Sequence, residues 1–104
     1  MKTIGLLGGM SWESTRGYYR LINEGIRERL GGLHSAEILM ASVDFAPLSK
    51  AMEAADWTKI EAILSDRVRR LSGAGAEILL ICTNTMHKLA ERMAAAAAPA
   101  KFLH

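Results

Sequence analysis

Apolar positions alternate along the chain between two periods. Thr3 to Leu7 is a short apolar run closed by Gly8-Gly9, the pattern of a buried strand. From about Ser14 to Leu30, the residues Tyr18, Leu21, Ile22, Ile26 and Leu30 recur at helical spacing. Gly31-Gly32 then supplies a helix stop. Glu37 to Val43 predicts a second strand, through Ile38, Leu39, Met40 and Val43. Ala46 to Ala55 is irregular and carries Pro47, which predicts loop or a short turn of helix. Asp56 is placed to cap a helix running to about Ser72, with Trp57, Ile60, Leu64, Val68 and Leu71 as its apolar stripe. Gly73 and Gly75 break that helix. Glu77 to Cys82 is an uninterrupted apolar run, as in a strand covered on both faces of a parallel sheet. Asn84 to about Ala97 reads as a helix ending before Pro99, and Phe102-Leu103 opens a fourth strand.

The order β-α-β-α-β-α-(β) predicts a three-layer α/β fold. Its parallel sheet has three to four strands with flanking helices and right-handed crossovers. The flavodoxin-like order 2-1-3(-4) is the one expected. Residues 1–104 form a single domain, with no internal repeat. The pattern breaks off as the fourth strand begins, which predicts the N-terminal domain of a longer protein. The five alanines at 94–98 are helix filler.

Composition narrows the partner classes. Half the residues are hydrophobic, more than a disordered segment carries. The 13 basic and 11 acidic residues are interspersed and give a net charge of +2, which argues against nucleic acid or an anionic membrane as partner. The apolar run near the N-terminus is too short for a signal sequence or a membrane span. A single cysteine, Cys82, excludes an intramolecular disulfide and fits a reducing, cytoplasmic setting.

In open parallel sheets, ligands bind beyond the carboxyl ends of the strands, where strand order reverses. Two loops would face that crevice. Gly8-Gly9-Met10-Ser11 follows strand 1, and Cys82-Thr83-Asn84-Thr85 follows strand 3. Cys82 would stand just before a helix, whose free N–H groups and partial positive charge favour thiolate. The same amides can hold a carboxylate. The bland alternative stays open: a buried Cys is a small hydrophobe, and Thr-Asn-Thr is ordinary capping material. Gly9, Ser11 and His87 are further pocket candidates, His87 being equally suited to a surface or helix-packing role. Gly5, Gly8 and Gly9 do not form a dinucleotide fingerprint, and a tight turn explains them. No Cys/His spacing matches a zinc site. Glu13 and Asp44 lie near strand ends, where Asp44 can cap a turn instead of serving as an acid/base group. His34 reads as a loop residue, Trp12 and Trp57 as packing anchors, and Arg67, Arg69 and Arg70 as a solvated face.

Three segments carry a resemblance. Gly8-Gly9-Met10-Ser11-Trp12-Glu13-Ser14-Thr15, Ser42-Val43-Asp44-Phe45, and Cys82-Thr83-Asn84-Thr85-Met86-His87-Lys88 together resemble the aspartate/glutamate racemase family, over essentially the whole chain. The resemblance implies two similar α/β domains with the active site between them, each giving one cysteine. One thiolate removes the Cα proton and the other thiol delivers a proton to the opposite face, with no pyridoxal phosphate, metal or other cofactor. Cys82 would be the N-terminal domain's cysteine. Thr83, Asn84 and Thr85 would bind the substrate carboxylate, and Met10 would line the pocket. The substrate implied is a small amino acid or dicarboxylate. The chain departs from the family in lacking a second cysteine, so it is expected to hold half a site and to be inactive by itself. Its expected partner is the missing C-terminal domain, and a homodimer giving Cys82 from each chain is another arrangement. Ser49, Lys50 and Glu53 are the polar groups offered where the family supplies substrate contacts.

Two other readings compete. A lone α/β domain could hold a small carboxylate without catalysis. A thiol-based phosphatase would also place Cys at a strand-to-helix loop, but it needs Arg six residues later, where this chain has Lys88.

Overall fold

The computed structural model describes residues 1–82 and the backbone of residues 101–103. Its elements are β1 (Ile4–Gly8), α1 (Trp12–Leu30), β2 (Ile38–Ser42), α2 (Phe45–Glu53), α3 (Trp57–Gly73), β3 (Ile78–Ile81) and β4 (Lys101–Leu103). The sheet runs β2-β1-β3-β4 with every pairing parallel, as the alternating pattern predicts. In register, Leu6 of β1 lies between Met40 and Leu80, and Gly8 lies beside Ser42. The helix expected over 84–97 falls outside the described residues.

Strand side chains alternate between faces, so this register sorts them into two layers. On one face Leu7, Leu79 and Ile81 pack with Leu39 and Ala41 against α3. The facing stripe of α3 is Ile60, Leu64, Val68 and Leu71, all buried as the spacing requires. Each fully buried aliphatic side chain here contributes about 1.5–3 kcal/mol. Val43, Leu48 and Ala51 extend this core beneath α2. The other face carries Leu6, Gly8, Met40, Ser42, Leu80 and Cys82 by alternation, and α1 lies over it.

Capping fixes the helix starts. The Asp56 carboxylate accepts from the Lys59 amide at 3.1 Å, as expected. Asp44 does the same for α2, accepting from the Ala46 amide at 3.2 Å. The segment expected to be loop or a short turn is therefore the nine-residue helix α2. Pro47 does not oppose it, because it stands in the first turn, where its missing N–H has no helical partner to lose.

Helix α1 departs from the expected stripe. Tyr18, Ile22 and Ile26 are half-buried, but Leu21 and Leu30 are exposed, and Thr15 is its one buried residue. Leu21 lies off the face that carries Thr15, Tyr18, Ile22 and Ile26, and Leu30 lies at the far end of the helix. A helix of 19 residues extends about 28 Å, against about 17 Å for a five-residue strand, so its C-terminal part overhangs the sheet. Trp12, expected as a packing anchor, is 64% exposed at the other end of α1. No helix among the described residues is long and apolar enough to cross a membrane.

Candidate active site

The carboxyl ends of β1 and β3 meet where the sequence places its chemistry. Cys82 follows β3 directly, and its N–H donates to the Leu7 carbonyl at 2.9 Å, continuing the ladder beside β1. Its side chain is fully buried. Burial raises the thiol pKa to about 11, since a thiolate would lose its hydration there. That direction is opposite to the one a helix N-terminus would impose. Thr83, Asn84 and Thr85, which would start such a helix, lie outside the described residues, as does His87.

The loop after β1 is held in a fixed shape. Gly9 has φ of +94°, a conformation open to glycine and strained for other residues. A side chain on Gly9 would also run into the Val43 backbone and the Ser42 hydroxyl. The Gly9 N–H donates to the Thr15 hydroxyl at 3.1 Å, and that hydroxyl donates in turn to the Ser11 carbonyl at 3.3 Å. Ser11 begins α1 as its capping residue, but its side chain pairs with the Ser14 hydroxyl at 3.2 Å instead of with a helix amide. Met10, expected to line the pocket, is 6% exposed and packs in the core with Val43 and Leu48.

The structure thus brings Gly9, Met10, Ser11 and Cys82 to one end of the sheet. Thr15 is the residue that sequence reasoning missed. Its place in Gly8-Gly9-Met10-Ser11-Trp12-Glu13-Ser14-Thr15 gave a usable signal, because a hydroxyl one turn into α1 can reach back to the preceding loop. Asp44 is accounted for as a cap, Glu13 is exposed on α1, and His34 lies in the turn after α1. Among the described residues, no group of three or more His, Cys, Asp or Glu side chains could hold a metal ion.

Residues 7–100 match the sequence model of the Asp/Glu/Hydantoin racemase family. The chain belongs to this family. Among the solved structures that share its fold are two relatives. One is a candidate Asp/Glu racemase from Yersinia pestis, 48% identical, with a TM-score of 0.96 over 100% of this chain and 45% of that one. The other is PH1733, an aspartate racemase homologue from Pyrococcus horikoshii OT3, 28% identical, with a TM-score of 0.88 over 99% of this chain and 44% of that one. The racemase-family chain described here therefore spans less than half the length of either.

Proposed function

We propose that this chain carries half of an amino-acid racemase site of the aspartate/glutamate type, with Cys82 as one of two acid/base groups. Inverting a Cα centre requires removal of a proton from one face and delivery to the other, so two groups must flank the substrate. Cys82 is the only cysteine of the chain, and the second group belongs to a further domain of the kind its relatives' greater length leaves room for. The carrying observation is the place of Cys82 at the β3 terminus, beside the constrained β1 loop, in a racemase-family chain.

The raised pKa supports one direction in which Cys82 starts. A thiol at neutral pH is the proton donor in one direction of the reaction, with the opposing group as base. The donated proton leaves Cys82 as thiolate, which then serves as base for the reverse reaction. Thr83, Asn84 and Thr85 are proposed to hold the substrate carboxylate through their amides and side chains. Met10, Gly9 and Ser11 form the wall on the β1 side. The substrate is a small amino acid or dicarboxylate. The mechanism calls on no cofactor. Accurate placement of both groups is part of such catalysis, so the isolated chain is expected not to invert substrate.

The half-site reading is tested with the chain alone, incubated in D₂O with L- and D-aspartate and glutamate. The expected result is no inversion, with any Cα deuterium exchange abolished by Cys82→Ser. Inversion by the isolated chain would overturn the half-site reading.

A further inference from the structure

An open concavity lies on the other side of β1 from Cys82. It is an open groove of about 290 Å³ between α1 and the edge strand β2, lined by Trp12, Thr15, Arg16, Tyr19, Met40 and Ser42. Gly8 pairs with Ser42 on one side while the ladder continues to Cys82 on the other, so the groove and Cys82 share a face of the sheet with β1 between them.

Its lining is amphipathic in a specific way. Trp12, Tyr19 and Met40 are 64%, 48% and 43% exposed, three large apolar side chains left in water around one hollow. Isolated exposed apolar residues need no explanation, but a cluster rimmed by polar groups marks a contact site. Arg16 is the one charged lining residue. Among the described residues Arg16 makes no ion pair and the Ser42 hydroxyl makes no hydrogen bond. Apolar walls with a few convergent polar groups are the usual composition of a small-molecule site, and the volume is near the lower end of the size range.

We propose that this groove binds an aromatic monocarboxylate, with Trp12, Tyr19 and Met40 taking the ring and Arg16 the carboxylate. One unpaired cation calls for one anionic group, and a guanidinium matches a carboxylate in two-point geometry. Indole and phenol faces favour an aromatic body. The small polar substrates of the proposed racemase site would leave these apolar walls wet, so the ligand class is different. Thr15 lines this groove and also holds the Gly9 amide, which puts the ligand one side chain away from the β1 loop.

The test is fluorescence titration of a Trp57→Phe chain, in which Trp12 is the single tryptophan. Phenylacetate is the probe, and phenylacetamide is its neutral counterpart. The expected result is a saturable change in Trp12 emission with phenylacetate, weakened at least tenfold for phenylacetamide and for the Arg16→Gln variant. Circular dichroism checks that each variant folds. Should Trp57→Phe fail to fold, the same ligands are followed by amide NMR shifts at Trp12 and Arg16 in the unsubstituted chain. No saturable response into the millimolar range, or equal responses to acid and amide, would overturn the proposal. So would an emission change that tracks protein concentration instead of ligand, because a second copy of the chain would then occupy the groove.

Discussion

The side chain of Thr15 occupies the space that a side chain on Gly8 would need. A Cβ on Gly8 would lie 2.5 Å from the Thr15 methyl and 2.6 Å from its hydroxyl oxygen. Helix α1 therefore settles onto β1 at this point because position 8 is glycine. Gly8→Ala is expected to destabilise the fold by about 1–3 kcal/mol through overpacking. Urea denaturation measures this, and Thr15→Ala in the same chain should recover part of the loss. Equal stability of Gly8→Ala and the parent would show that α1 can shift freely.

Thr15 also bonds the loop that Gly9 begins. Thr15→Val keeps the shape but removes the acceptor for the buried Gly9 N–H, at a cost of about 1–3 kcal/mol. Thr15→Ser keeps the hydroxyl and loses a methyl, so it should be the milder change. Denaturation gives the ranking. Amide exchange at Gly9 should speed up in the valine variant and not in the serine variant.

The cap of α3 sets the start of the helix that covers the sheet. Asp56→Ala is expected to destabilise by about 1 kcal/mol, and Asp56→Ser or Asp56→Asn by less. A thermal or urea midpoint is enough to read it. No change in the alanine variant would mean that the Lys59 amide finds another acceptor at no cost.

Burial of Cys82 makes stability depend on alkaline pH. The folded thiol titrates near 11, above its value of 9.0 in the unfolded chain. Above the lower value the unfolded state gives up its proton first, so it binds fewer protons than the folded state and stability falls as pH rises. The contribution is fully present below pH 9 and is lost as pH rises through about 11. Denaturation midpoints of parent and Cys82→Ser across this range isolate the effect, and thiol labelling of the folded chain should stay slow at neutral pH.

Much of the fold was legible because the apolar periods are clear. The run Ile78 to Ile81 reads as a strand of a parallel sheet, and the spacing of Ile60, Leu64, Val68 and Leu71 reads as a helix facing that sheet, as found. Helix α2 was hidden by Pro47, whose effect depends on its place relative to the Asp44 cap. Trp12 was misjudged because hydrophobicity does not reveal that the first turn of α1 leaves it at the rim of an open groove. The positions of Cys82 and Gly9 at the carboxyl ends of β3 and β1 were legible from the sequence. The capping reach of Thr15 was signalled locally, but its packing on Gly8 was not, since that depends on how closely α1 approaches β1. The ionisation of Cys82 was also beyond a sequence reading, because it depends on how completely its surroundings close over it.

The central claim is that Cys82 moves a proton at Cα. Its most direct test is deuterium exchange and inversion of aspartate and glutamate in D₂O, followed by NMR, in this chain joined to the remaining half of its Yersinia pestis relative. The joined protein should incorporate deuterium with inversion, and Cys82→Ser should slow both by about a hundredfold or more. Folding of the variant is checked separately, since the Cys82 hydrogen bond to Leu7 is a backbone one and survives the substitution. Exchange and inversion unchanged by Cys82→Ser would contradict the account and leave Cys82 as a core residue.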